Sequence, residues 1–168
     1  MSAPAADRAV VMVTVDVPPA DAFDVFTRET DLWWRHGPRY RMAGRHPGVL
    51  SFEPRAGGRL FEQYDSPAGP RAHDIGTILI WEPPTRLVFE WRNANFAPAE
   101  RTEVEVRFEP TRRGTRVTVE HRGWSTIRPD HPARHGHPPA TFLAELGTWW
   151  ADLLTSLREH ATDPSRPR

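Results

Sequence analysis

The residue with the widest range of chemistry in this sequence is His121. It follows Val117 and Val119 in the alternating segment Thr115–Arg122, so as a strand this segment would place all three side chains on one face. A neutral imidazole there could donate a hydrogen bond, or act as an acid or base near neutral pH. The alternative is a histidine hydrogen-bonded to the backbone or to a carboxylate at the end of a strand.

Glu62 is the carboxylate best suited to act with His121. It lies in the alternating segment Arg59–Tyr64, on the face opposite to Phe61, and the alternation does not tell which face points inward. A solvated side chain is the default for a glutamate. A His–Glu pair would suffice for proton transfer on a bound polyketide or ester. No nucleophile or metal set accompanies the pair, so catalytic residues stay unassigned and we expect no cofactor.

His131, His135 and His137 fall in a loop dense in His and Pro that runs from Thr126 to Pro139. Imidazole is a common metal ligand, but a His-x-His pattern outside a helix or strand is weak support for a metal site. We therefore expect no metal there. The loop is instead predicted to be solvated and flexible, and to form a lid over a cavity mouth.

The composition excludes several classes of function. The chain has 168 residues and no Cys, which excludes disulfides, thiolate nucleophiles and Cys-based metal centres. Its 22 basic residues balance 22 acidic ones, so the positive field of a nucleic-acid-binding protein is missing. The longest apolar stretch, Ala9 to Val13, is far shorter than the about 20 residues that span a bilayer. We expect a cytoplasmic protein with no nucleic-acid or membrane partner.

The elements that must position these residues follow from changes in periodicity. Arg8–Val17 alternates and predicts a strand, and Pro19–Thr27 and Thr30–Trp34 have the apolar spacing of short helices. Six antiparallel strands are then predicted, separated by turns that contain Gly or Pro. They cover Gly48–Glu53, Arg59–Tyr64, Asp74–Trp81, Arg86–Trp91, Thr102–Phe108 and Thr115–Arg122. Ala140–His160 returns to helical spacing with one broad apolar stripe.

Several segments occur in an order that resembles one known family. They are PADAFDVFT at 19–27, LWW at 32–34, PRAGGRLFE at 54–62, GTILIWEPPTRLVFEW at 76–91, TEVEVRF at 102–108 and GTRVTVEHRGW at 114–124. A long terminal helix follows them. Together they are similar to the SRPBCC (START/Bet v 1-like) superfamily, and within it to the Hsp90-ATPase-activator-homologue-like (AHSA1-type) family.

This resemblance implies an α+β helix-grip fold. In that fold a curved antiparallel sheet of about seven strands wraps around a long C-terminal helix, and two short helices follow strand 1. It implies a single SRPBCC/AHSA1-like domain over residues 8–160, with flexible tails at 1–7 and 161–168. A cavity remains between sheet and helix, and family members use it for hydrophobic small molecules and, in some cases, for catalysis.

The walls of that cavity are predicted from the inward faces of the strands and the aromatic residues of the helices. An apolar lining with a few polar points is typical of a pocket for a small apolar ligand. An ordinary core would show similar aromatic stripes, because aromatic residues dominate core energetics. Trp91 and Trp150 are the leading pair. The predicted ligand-binding residues are Trp33, Trp34, Phe61, Phe89, Trp91, Phe108, His121, Leu146, Trp149 and Trp150.

The sequence leaves three hypotheses about function. The preferred one is a non-enzymatic protein that binds an apolar or amphipathic small molecule between the sheet and the C-terminal helix. The second is a cyclase, dehydratase or hydrolase in which His121 and Glu62 carry out acid–base chemistry. The third, implied by the family name, is activation of an Hsp90-type ATPase. Exposed sheet edges would also allow a homodimer.

Overall fold

The computed structural model describes residues 7–42 and 47–166. The strands are β1 (Ala9–Val15), β2 (Gly48–Phe52), β3 (Arg59–Ser66), β4 (Gly69–Glu82), β5 (Arg86–Trp91), β6 (Thr102–Pro110) and β7 (Thr115–Arg122). The helices are α1 (Pro19–Arg28), α2 (Thr30–Trp33) and α3 (Pro139–Ala161). The predicted α+β architecture is therefore confirmed, including the two short helices after the first strand and the long C-terminal helix.

All seven strands form one antiparallel sheet in the order β1-β7-β6-β5-β4-β3-β2. Strands β2 to β7 follow one another as neighbours, and β1 pairs with β7 at the far edge. The sheet curls around α3, which packs closely against β1, while α1 and α2 cover the remaining part of its concave side. This is the helix-grip arrangement that the family resemblance implies.

The helices are amphipathic, and their apolar stripes fill the concave side of the sheet. α1 has Pro at its first turn, where a missing N–H costs nothing, and it buries Phe23 and Phe26. α3 buries Trp150, Leu153 and Leu157 in the main core. Among the described residues, no helix is long and apolar enough to cross a membrane.

β4 starts earlier than the sequence predicts. It begins at Gly69 rather than Asp74, because a tight turn after Ser66 extends its pairing with β3. Ser66 Oγ donates a hydrogen bond to the Gly69 carbonyl at 2.8 Å. Gly69 has a φ of +110°, a conformation that favours glycine. The Ser, Gly and Pro residues of this stretch are typical of a longer connection between two strands, so the first part of β4 was not predicted.

β4 is also irregular along its length, and this helps to curve the sheet. Its register shifts once against β3 and once against β5, and such bulges bend a strand and increase its twist. Gly76 lies between the two shifts. A Cβ atom at this position would overlap the Glu90 carbonyl oxygen, so the two backbones approach closely here.

Both described chain ends contact the domain. The backbone N–H and hydroxyl of Ser125 donate to the Asp7 carboxylate. At the other end, the Arg166 guanidinium donates to Glu29 at 2.9 Å. The remaining residues of the predicted tails, 1–6 and 167–168, lie outside the described residues, and the flexibility of the tails stays a prediction.

Candidate functional site

His121 lies on β7 and is completely buried. Thr102 Oγ1 donates to the Trp91 carbonyl at 3.1 Å, so its oxygen is free to accept a hydrogen bond from His121 Nε2–H at 2.7 Å. The other ring nitrogen, Nδ1, accepts from Trp150 Nε1–H at 3.1 Å. These hydrogen bonds are mutually consistent with one tautomer only, the one that carries its proton on Nε2.

The surroundings of His121 keep the imidazole neutral. Burial lowers its pKa to about 3, because a charged ring would lose its hydration there. Both ring nitrogens already bond to protein groups, so neither is offered to a bound molecule. His121 thus joins α3 to the sheet, and its partners are an indole and a hydroxyl rather than the backbone or a carboxylate.

Glu62 lies on the inward face of β3 with 1% of its surface exposed. Its Oε1 accepts a hydrogen bond from the Met42 backbone N–H at 2.9 Å, which ties the segment before β2 to the sheet. Three strands, β4, β5 and β6, separate β3 from β7. Both ring nitrogens of His121 are bonded to Thr102 and Trp150, so Glu62 and His121 are not hydrogen-bonded as an acid–base pair.

An open cleft of about 590 Å³ lies next to the His121 network. It runs between the N-terminal half of α3, the loop after β5, the segment 38–42 and the loop 124–137. Its walls are mainly apolar and are formed by Tyr40, Met42, Trp91, Trp124, Phe142, Leu146 and Trp149. Its polar rim includes Arg39, Asn93, His135, His137 and Glu145. This volume lies within the range of about 300–1,000 Å³ that is typical of ligand pockets.

The floor of the cleft is a fixed aromatic surface. Trp91 and Trp149 line it, with ring centroids 5.8 Å apart. Beneath them, Trp34 stacks on Trp91 with 6.0 Å between the ring centroids. Trp150 packs edge-on against Trp34 with 5.6 Å between the ring centroids. The Trp34 Nε1–H is held by the Tyr40 carbonyl at 3.0 Å. The planes of Trp91 and Trp149 are inclined at 71°, so an apolar molecule could pack into the angle between them without first ordering them.

The predicted ligand-binding residues fall into separate layers. The ones that line the cleft are Trp91, Leu146 and Trp149. The ones that form a buried layer behind Trp91 are Trp34, His121 and Trp150. The ones that belong to the main core away from the cleft are Trp33, Phe89 and Phe108.

Phe61 lies on the other side of the sheet. It alternates with Leu60 and Glu62, which are both buried on the inward face. The Arg59 guanidinium lies over its ring, 4.4 Å from the centroid. Phe61 therefore faces away from the cleft, and this placement gives no support to its predicted contact with a ligand.

Several residues that line the cleft were not among the predicted ligand-binding residues, and Tyr40, Met42 and Trp124 are the large hydrophobic ones outside the elements predicted from the sequence. Tyr40 and Met42 lie between α2 and β2, in a stretch with no apolar periodicity. Trp124 follows Gly123, whose φ of +93° turns the chain at the end of β7. A glycine directly before a tryptophan, after an alternating strand, was the one available signal for this wall.

His131 is buried, unlike the solvated position predicted for it, whereas His135 is exposed as predicted. Its Nδ1 accepts from the Ala133 backbone N–H at 3.0 Å, and its Nε2–H donates to Glu100 at 3.1 Å. His135 and His137 lie apart from it, on the cleft rim. Within residues 7–42 and 47–166, no group of three or more His, Asp or Glu side chains is placed to hold a metal ion.

The loop 124–137 packs over a small apolar core of its own. We call this the loop cluster, and its buried members are Phe96, Trp124, Ile127, Ala133, Phe142 and Leu143. Arg134 holds the loop from inside, because its guanidinium donates to three backbone carbonyls within the loop. Hydrogen bonds from side chains to the backbone, which periodicity does not reveal, thus fold this segment.

The sequence matches the family model described as activator of Hsp90 ATPase homolog 1-like protein over residues 16–158. That range covers most of the chain, including the whole sheet except β1, and most of α3. The chain belongs to this family. The matched range also includes every residue in the walls of the cleft, so the cleft of this AHSA1-like protein lies inside the family domain.

Solved structures share the fold of this AHSA1-like protein. MLL2253 from Mesorhizobium loti is 21% identical, with a TM-score of 0.61 over 93% of this chain and 98% of that one. CalU16 from Micromonospora echinospora is 21% identical, with a TM-score of 0.59 over 94% and 76%. The Aha1 dimer from Colwellia psychrerythraea is 16% identical, with a TM-score of 0.61 over 94% and 98%. No functionally curated protein matches the chain significantly.

Proposed function

We propose that this protein binds an apolar or amphipathic small molecule in the cleft between the curled sheet and α3, without transforming it. The observation that carries the proposal is the open cleft of about 590 Å³ with mainly apolar walls. Monomeric proteins rarely leave such a surface in contact with water unless it binds something. The buried, neutral His121 supports binding rather than acid–base catalysis.

The rigid floor supports the same function. Trp34 and Trp150 are at most 1% exposed, and they hold the rings of Trp91 and Trp149 from below. The floor is therefore in place before a ligand arrives, which reduces the entropy lost on binding. Burying an aromatic face against it adds a favourable hydrophobic contribution.

Titration with Nile red, a neutral dye whose emission rises in apolar surroundings, tests this function. The wild-type protein should bind the dye saturably, and Trp149→Ala should weaken binding by about tenfold or more because half of the aromatic floor is lost. Leu32→Ala is the matched control, since Leu32 is 57% exposed and lies outside the cleft. Circular dichroism checks that each variant is folded. Unsaturable binding by the wild type, or equal affinities in the wild type and Trp149→Ala, would rule the proposal out.

Activation of an Hsp90-type ATPase is a second candidate, favoured by the family description and by the likeness to the Aha1 dimer. The same likeness supports a homodimer of this chain. Measuring the ATPase rate of an Hsp90-type protein with saturating amounts of this protein tests the activation, and an unchanged rate argues against it. Sedimentation velocity over a range of concentrations tests the homodimer, and the sedimentation coefficient of a monomer at every concentration argues against it.

A further inference from the structure

Arg134 is a buried cation without an anionic partner. Its side chain is 2% exposed, and no carboxylate of residues 7–42 or 47–166 lies within 4.0 Å of it. Its Nε and Nη2 donate to the carbonyls of Trp124, Ile127 and Arg128. Its Nη1 has no hydrogen-bond partner among the described residues. Because a buried charge is costly unless it is paired, this guanidinium is poised to attract a negative group.

A second unsatisfied donor lies beside it. Trp124 Nε1 is buried and has no acceptor among the described residues, although the Trp124 indole forms part of the cleft wall. A buried indole N–H normally finds an acceptor. The Arg134 guanidinium lies 5.8 Å from the centroid of the Trp124 ring and 5.5 Å from that of Phe142, which lines the same wall.

No carboxylate in the described part of the cleft pairs with this cation. Arg41 is already paired with Asp31 at 2.6 Å. Arg39 and Glu145 lie on the rim, where water reaches both and their charges are opposite in sign. The charge behind the wall therefore has backbone carbonyls but no carboxylate beside it, and its burial reduces the screening of its field by water.

We infer that the cleft selects a molecule with an apolar or aromatic body and a carboxylate, which lies at the Trp124 end of the cleft. The body packs against Trp91 and Trp149, and the carboxylate accepts the Trp124 indole N–H in front of the Arg134 charge. Because that N–H is buried, this contact requires a small shift of the Trp124 side chain. This inference rests on the proposed binding function and specifies the class of ligand.

Displacement of Nile red by two probes of the same shape tests the inference. Naphthylacetate carries a carboxylate, and naphthylacetamide replaces it with a neutral amide of the same size. The wild-type protein should bind the acid about tenfold more tightly, a difference of about 1.4 kcal/mol. Arg134→Gln, which keeps amide donors for the loop carbonyls, should bring the two affinities together. Arg116→Gln removes an exposed charge of the same sign on β7, outside the cleft, and should leave the preference for the acid intact.

Trp124→Phe keeps the aromatic wall but removes the indole N–H. It therefore distinguishes the contribution of this N–H from that of the Arg134 charge. Both probes can accept from the indole, but the hydrogen bond to the carboxylate is the stronger one, so this variant should weaken both and reduce the preference for the acid without abolishing it. It also keeps the test valid if Arg134→Gln does not fold. Equal affinities of the wild type for acid and amide would overturn the inference while leaving the binding function standing. Failure of Nile red to bind saturably would instead overturn the binding function itself.

Discussion

Replacing His121 with alanine is expected to destabilise the protein by about 3–5 kcal/mol, the range for deleting a large buried side chain. The substitution leaves a cavity between β7 and α3, and it leaves the indole N–H of Trp150 buried without an acceptor. Chemical denaturation followed by circular dichroism measures the loss. His36→Ala is the control, since His36 lies outside the buried core and its replacement should change the free energy of unfolding by less than about 0.5 kcal/mol.

The same residue should make the protein acid-sensitive. The pKa of His121 falls from its ordinary value near 6.5 to about 3 in the folded protein. Below pH 6.5 the unfolded chain therefore binds a proton at this residue that the folded protein does not. The stability it contributes is fully present above pH 6.5 and is lost as the pH falls towards 3, with about 2 kcal/mol gone at pH 5.

His121→Gln provides the comparison for this pH dependence, because glutamine does not titrate. The free energy of unfolding should fall more steeply between pH 7 and pH 5 in the wild type than in the variant. Parallel pH profiles would show that His121 is accessible to protons in the folded state. A loss of less than about 1 kcal/mol in His121→Ala would contradict the structural role altogether.

Gly76→Ala should have an effect at least as large. A Cβ at this position would overlap the Glu90 carbonyl oxygen, and the atom it meets is backbone that cannot rotate away. β4 and β5 must separate to accept it, so we expect a loss of at least about 3 kcal/mol, or failure to fold. Thermal unfolding and the yield of folded protein measure the effect.

Gly147→Ala is the matched control, and it is expected to stabilise the protein rather than destabilise it. Gly147 lies inside α3, has no positive φ and leaves open space for at least 4 Å around the point that a Cβ would occupy. Alanine there should stabilise the helix by about 0.5–1 kcal/mol. If both glycine variants unfolded alike, the close approach at Gly76 would not be the cause of its effect.

The fold was predictable from the sequence because its signals are local. The period-two alternation of the strands and the apolar stripe of α3 each arise within one segment, and the turns carry Gly or Pro. The start of β4 was not predicted, because the local signals around Ser66 and Gly69 are those of a loop. In the structure these two residues form a tight turn, and β3 and β4 stay paired right up to it.

The site was predictable only in part. Alternation correctly placed His121 on the inward face of β7, but it could not show that Trp150 on α3 and Thr102 on β6 would occupy both ring nitrogens. Those partners depend on how the helix sits on the sheet. The orphan donors of Trp124 and Arg134 lie in a loop without periodicity, so only the three-dimensional structure reveals them.

The loop cluster has a consequence for how a ligand could enter. Its buried residues form a separate group from the main core, and Leu146 packs against both. Regions with a small core of their own open at lower free energy than the sheet they adjoin. Brief local opening of the loop would move the Trp124 wall while the tryptophan floor stays in place. We therefore expect the Trp124 wall to open more readily than the tryptophan floor, so that a molecule bound in the cleft could exchange without disturbing the sheet.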